Sequence, residues 1–385
     1  MAATFEFVGK IKKIERETEK FKAFEEKHYE SGWCNQTFKF YAVNGNNSHV
    51  MQIKSGFWTK ADGSIDESKM KIYTQSKSEN GKSKSIEIAY ANRTDPETVA
   101  NVAFWRKYGI NLSNPSEAKD PSKDYEFVFE GDFMNALRKL MDNPKFAERK
   151  ISIKGDMDIQ YGENNDTFYK TFIPRRIRFA RDEEPEQMKL SLEFIYGPEA
   201  ITVIDDDYIM VDGFHKYYDG GYRKDACRGM AMCPIRFAVR DKNLIDLVKH
   251  RFTDFPDECR YTKTDVTLNV INGTQEVSLT YDDLSDEAKE NVDFGLSTLE
   301  DEIKRAGGTV YGDRITEYRF AVSRNKQATA YEDEDFYPPR HDGQEKVTHV
   351  EQSQEFDPTS VKTVKTTTNA EPTGLDGDFD LFGDL

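Results

Sequence analysis

Apolar and polar positions alternate from residue 151 to 161, with Ile151, Ile153, Met157, Ile159 and Tyr161 on one side. That two-residue period is the mark of a half-buried strand. A Gly/Asn turn at 162–165 leads into residues 167–180, where Ile173, Ile177 and Phe179 share one face and Arg176 and Arg178 share the other. Upstream, apolar runs at 5–14, 37–43, 50–53 and 85–90 predict further strands, with Asn44-Gly45 as a turn. Asp132 predicts an N-cap for a helix that carries Phe133, Ala136, Leu137, Leu140 and Met141 on one face and ends at Asn143-Pro144. Strands, one helix and a long closing hairpin suit a five-stranded Greek-key barrel of the OB type, whose helix falls between strands three and four.

After an acidic hinge at 182–186 the order repeats. Strands are predicted at 208–215 and 232–239, then a hairpin over 266–279 turning at Asn272-Gly273. Ser285 can cap a helix bearing Ala288, Val292, Leu296, Leu299 and Ile303, with Gly307-Gly308 as its stop, and a last strand covers 314–322. Both closing strands carry an Arg-Phe-Ala triplet, at 178–180 and 319–321. The expectation is a mainly β chain of tandem OB-like domains, 1–182 and 188–328, with an unrelated α+β second domain as the alternative. Residues 331–378 are rich in Glu, Asp, Thr, Pro, Gly and Ser without periodicity. Such a segment buries too little apolar surface to offset its ordering entropy, so 331–385 is expected to be a disordered tail.

Charge changes how that tail reads. Of the net −16, residues 331–385 supply −10 (14 acidic, 4 basic), which leaves −6 on the other 330 residues. The acidic average therefore does not by itself exclude a polyanionic partner. The tail closes on 376–385, where Phe379, Leu381, Phe382 and Leu385 are spaced among carboxylates, the composition of a short partner-docking peptide. No apolar run approaches the roughly 20 residues of a membrane span. Cysteines 34, 227, 233 and 259 are too few and scattered for a disulfide scaffold, so a reducing cytoplasm is expected and membrane and secreted classes are set aside.

Enzyme motifs fail. Gly81-Lys82-Ser83 lacks the leading glycine of a phosphate loop, and the acidic run at 205–207 reads as a solvated turn rather than a nuclease centre. Cys227 and Cys233, with His215 upstream, are spaced too widely for a structural zinc motif and read as small buried thiols. No cofactor is expected.

Aromatic residues interleaved with cations are what stand out. They comprise Trp58 with Lys60; Trp105, Arg106, Lys107 and Tyr108; Arg175, Arg176 and Arg178; and Lys216, Tyr217, Tyr218, Tyr222, Arg223 and Lys224. Unpaired nucleic acid needs this pairing, since rings stack on bases while Lys and Arg follow the phosphates. The competing reading puts the rings in the core with arginine stems over them. With its barrel strands, aromatic-basic loops and acidic phenylalanine-bearing end, the sequence resembles the replicative single-stranded-DNA-binding proteins of bacteria and their viruses, the larger phage type in particular. That resemblance implies nonspecific binding and protection of single-stranded DNA in replication and recombination. It also implies an acidic tail that competes with DNA and docks other replication and recombination proteins through its tip. A protein-interaction scaffold without nucleic-acid affinity is the alternative.

Overall fold

The strand predicted over 151–161 forms, and it is an interior strand of one long sheet. The computed structural model describes residues 3–336 except 20, 79–81, 117–119, 163–164, 206–207, 219–229, 254–259, 279–280, 282–283, 306–308 and 332, and the side chains at 275–278, 304, 309–313 and 333–334. The tail tip, and with it Phe379, Leu381, Phe382 and Leu385, lies outside the described residues, as does the Gly307-Gly308 stop. The chain is mainly β.

In the first half, β1 (Thr4–Lys12), β2 (Phe24–His28), β3 (Trp33–Asn44) and β4 (Asn47–Trp58) are followed by an excursion over the barrel end. The excursion holds β5 (Lys71–Gln75), β6 (Ser85–Ala89), α1 (Pro96–Asn101), β7 (Tyr108–Asn111) and β8 (Asp124–Phe127). Helices α2 (Glu130–Met141) and α3 (Pro144–Ala147) then lead into β9 (Ile151–Gly162) and β10 (Thr167–Phe179). β1 pairs antiparallel with β3 (Ile11↔Ala42) on one edge and with β9 (Phe7↔Ile153) on the other. β3 pairs with β4 (Phe40↔Met51) and β9 with β10 (Met157↔Phe172), and β10 closes the ring parallel to β4 at Phe172↔Met51. With α2 between the third and fourth barrel strands, this is the connectivity of an OB-type Greek-key barrel. The pleat explains it: β3 and β9 alternate buried and less buried positions, so each strand turns one side inward. Phe133, Leu137 and Leu140 of α2 have no solvent-exposed surface, and plug the barrel.

The second half repeats the plan. β11 (Gln187–Tyr196), β12 (Ile201–Asp205), β13 (Tyr208–Tyr218), β14 (Met230–Val239), α4 (Lys242–Thr253), β15 (Thr262–Ser278), α5 (Asp286–Asp293), α6 (Leu299–Arg305) and β16 (Thr309–Ala328) follow in order. β11 pairs with β13 (Ile195↔Phe214) and with β15 (Leu192↔Val266), and β13 pairs with β14 (Val211↔Phe237). β15 pairs with β16 (Leu268↔Phe320), and β16 closes parallel to β14 at Ala238↔Arg319. Strand for strand this is the first barrel again, with α4 in the place of α2. The two first strands pair with each other, antiparallel, from Thr4↔Ser191 to Val8↔Gln187, so one sheet runs through both barrels.

Three expectations are corrected. Asp132 is not the cap: α2 begins at Glu130 after Phe129, and Asp132 sits in its first turn, where Arg93 Nε binds its carboxylate at 2.9 Å. Asn272-Gly273 is not a turn but the middle of β15, and Asn272↔Thr316 and Gly273↔Ile315 are ladder pairs with β16. The helix expected after Ser285 is two short ones, because Gly295 adopts a left-handed φ of +68° between them. Helix α4, on which Ile245, Val248 and Phe252 are buried, was not anticipated.

Among the described residues no helix is long and apolar enough to cross a membrane.

Candidate nucleic-acid interface

The outer side of the first barrel's β1–β3–β4 face collects unpaired cations. Lys10 and Lys12 point outward from β1, Lys27 from β2, Lys39 from β3 and Lys54 from β4. The register sets Lys12 opposite Tyr41, Lys39 opposite Gln52 and Lys54 opposite Thr37. Among the described residues none of these five lysines has a carboxylate within ion-pair distance. Glu25, also exposed and opposite Thr37, is the acidic neighbour in the row. Burial, reinforced by the charge of Lys54, holds the Lys39 amine below the usual lysine range, with Glu25 acting the other way. A phosphate placed here would relieve that repulsion.

Rings lie among these lysines. Phe21 packs against Tyr41 (6.3 Å between centroids) and under the Lys39 amine (5.1 Å), while Lys27 covers Tyr29 at 5.1 Å. At the far end of the hairpin Trp33 and Trp58 pair edge-to-face at 5.3 Å, half-buried on the small apolar cluster beneath the excursion. The Trp33 ring lies over Gly56, where an added Cβ would stand 2.2 Å from it. From the excursion project Tyr73 (75% exposed), Phe104 (62%) and Trp105 (58%), exposures no core ring has. The turn at 104–106 is tied to the end of β5 by Ala103 N–H to Gln75 O at 2.8 Å, and to β10 by Arg176 Nη2 donating to Phe104 O at 2.8 Å. Two exposed rings on a turn fixed at both ends make a stacking platform with little ordering left to lose.

Residues expected to touch nucleic acid divide accordingly. Trp58 is half-buried, Lys60, Trp105 and Arg106 are exposed, and Arg106 lies 4.7 Å over the Trp105 ring. Lys107 and Tyr108, by contrast, are buried. Lys107 pairs with Glu126 at 2.5 Å, and Tyr108 stacks on Phe133 and donates to Glu130. Lys107 is enclosed by its pair with Glu126 and Tyr108 by its stack on Phe133, where β7 adds to the parallel edge of β10. The arginines of β10 are taken up by carboxylates. Arg175 holds Asp156 at 2.9 Å and covers Tyr108, Arg176 lies 3.5 Å over Phe104 beside Glu126, and Arg178 makes a two-pronged pair with Glu184.

In the second barrel the matching face is covered by the chain itself. Tyr217 is 7% exposed and belongs to the core, with Phe168 edge-on at 6.2 Å, whereas Tyr218 is exposed at the strand end. Phe336, in a turn at 333–336, seats on Phe214 (4.5 Å) and Tyr261 (4.2 Å), and Lys216 lies 5.1 Å over Tyr331. Arg236 is held by Asp212 and Lys263 by Glu193. Tyr222, Arg223, Lys224 and Cys227 lie outside the described residues. Cys233 is a buried free thiol, and His215 is buried with Nδ1 2.8 Å from Glu193 O. Among the described residues neither joins a cluster of metal-ligating groups.

The β3–β4 residues Trp33, Lys39, Tyr41 and Lys54 were missed from sequence. Lysine between phenylalanines in Phe38-Lys39-Phe40 reads as an ordinary solvent-facing position, and only the pairing with β4 shows that such positions line up.

No family model matches the chain, and no curated protein matches it in sequence. Among solved structures, the wild-type single-stranded DNA binding protein of Thermus aquaticus aligns with 5% identity and a TM-score of 0.32, covering 86% of this chain and 96% of that one. A deletion mutant of the same protein aligns with 6% identity and a TM-score of 0.29, covering 71% and 87%. The barrel is defined by the strand pairing of the chain itself.

Proposed function

We propose that the protein binds single-stranded DNA without sequence preference, on the outer β1–β3–β4 face of its first barrel. The observation that carries this is five lysines without ion-pair partners on one barrel face, interleaved with Phe21, Tyr29 and Tyr41 and flanked by Trp33, Trp58, Phe104 and Trp105. OB barrels take oligonucleotides on this strand surface and its loops. Phosphates follow the lysines, and bases stack on the rings for about 1–3 kcal/mol each. Nothing in such a surface reads base edges, so sequence tolerance follows from the chemistry. In this reading the protein coats exposed strands during replication and recombination. Its acidic tail competes for the lysine face, and Phe379, Leu381, Phe382 and Leu385 dock other replication and recombination proteins.

The test is quenching of tryptophan fluorescence by oligo-dT across a salt series, in the wild-type chain and in Lys39→Gln/Lys54→Gln. Quenching is expected, with a log–log salt slope shallower by roughly 1.4 in the double variant, about 0.7 for each phosphate that is no longer neutralised. Absence of binding at low salt would leave the scaffold reading in its place. An unchanged slope would move the interface elsewhere.

A further inference from the structure

β2, β3 and β4 are registered so that three rows of side chains cross the inner side of the sheet: Phe24–Phe38–Ile53, Glu26–Gln36–Ser55 and His28–Cys34–Phe57. The first row is apolar and packs with the core. The other two bring a carboxylate, an imidazole and a thiol to one end of the barrel. Glu26 Oε1 is 2.8 Å from His28 Nε2, which is 3.9 Å from Cys34 Sγ, and the three donor atoms all lie within 4.8 Å of one another. This convergence is set by backbone pairing, since residues 26 and 28 are same-side neighbours on one strand and Cys34 is the cross-strand partner of His28.

The surroundings favour a ligand over a simple hydrogen-bonded row. Gln36 Nε2 donates to the second Glu26 oxygen at 3.2 Å, which fixes the carboxylate toward His28. Gln36 is 2% exposed, yet its Oε1 has no partner, and the adjacent Ser55 hydroxyl is also buried and unpartnered. Buried polar atoms are rarely left orphaned, and a metal-bound water has protons to offer them. The His28 ring is more than half exposed, which gives a path for entry.

We propose that Glu26, His28 and Cys34 form a divalent-cation site of the zinc class, with one coordination position left to water. Sulfur, imidazole and carboxylate together suit a borderline-soft ion rather than calcium or magnesium. Tetrahedral zinc bonds of about 2.0–2.3 Å place sulfur and nitrogen donors about 3.6 Å apart and nitrogen and oxygen about 3.3 Å apart, so the His28–Cys34 and Glu26–His28 pairs stand within about half an ångström of that spacing, and the Glu26–Cys34 pair, within 4.8 Å, closes on the same point. On binding, the Cys34 sulfur–metal bond forms as the thiol proton passes to solvent, and neutral His28 lends its Nε2 lone pair. No electron changes hands.

Cobalt(II) is the probe, added to the full-length, metal-stripped chain. One cobalt per chain is expected, with a near-ultraviolet thiolate-to-cobalt charge-transfer band that zinc bleaches. Cys34→Ser should abolish the band. His28→Ala, at an exposed position that should fold normally, should weaken cobalt affinity tenfold or more. No band, or a band retained in Cys34→Ser, overturns the site, as does unchanged affinity in His28→Ala. The spectroscopic readout is independent of nucleic-acid binding.

Discussion

His49 is fully enclosed where the β3–β4 hairpin meets the second barrel. Its Nε2 lies 3.1 Å from Asn44 Oδ1, and Phe7 stands edge-on to its ring. Burial, with Arg314 adding like charge, lowers its pKa to about 4. The unfolded chain takes up a proton near the ordinary histidine value of about 6.5, which the folded chain refuses until about 4, so the stability His49 contributes is full above 6.5 and is lost as pH falls between the two. The expected cost between about pH 7.5 and pH 5 is about 2 kcal/mol. Urea unfolding at both pH values should show it, and His49→Gln should show a smaller drop. An equal drop in the variant would assign the acid sensitivity to other groups.

Long elements with a strict period were legible, and elements defined by their neighbours were not. The alternation over 151–161 gave β9 within a residue, and the apolar stripe after Asp132 gave α2 with its start three residues late. Asn272-Gly273 misled because Asn-Gly is also the strongest hairpin signal. Here the glycine serves a close approach instead: a Cβ on Gly273 would stand 2.2 Å from Asn46 O, and Asn272 bonds Asn47 and Ser48 across the same junction. Gly273→Ala must therefore push β15 from β4, and overpacking of this kind costs about 1–3 kcal/mol. The midpoint of urea unfolding should fall by a corresponding amount, with its slope unchanged. A shift within about 0.5 kcal/mol would mean that the junction yields freely. The candidate site divided in the same way. Trp105 and Arg106 could be found because their loop displays them, whereas Tyr108 and Tyr217 carry the same local signal and are core. What separates them is the edge of β10 in one case and Phe168 in the other, both distant in sequence.

At the scale of the molecule, two barrels of one topology have different fates. In the first, the strand face keeps its lysines free. In the second, the corresponding face is closed by Phe336 and Tyr331, and its arginines are paired. Beyond Phe336 the chain carries ten acidic and four basic residues, a net of −6, or more than a third of the total −16. A charged segment tethered to the same molecule acts at high effective concentration, so it can shield a cationic face without a fixed seat. Removing 337–385 should therefore tighten oligo-dT binding at low salt. The advantage should shrink as salt rises, because the screening length falls from about 10 Å at 0.1 M to about 3 Å at 1 M. Paired titrations of full-length and truncated chains at two salt concentrations measure this directly. A gap that persists undiminished at high salt would point to specific docking of the tail rather than charge. Equal affinities at low salt would free the lysine face from any competition by its own terminus.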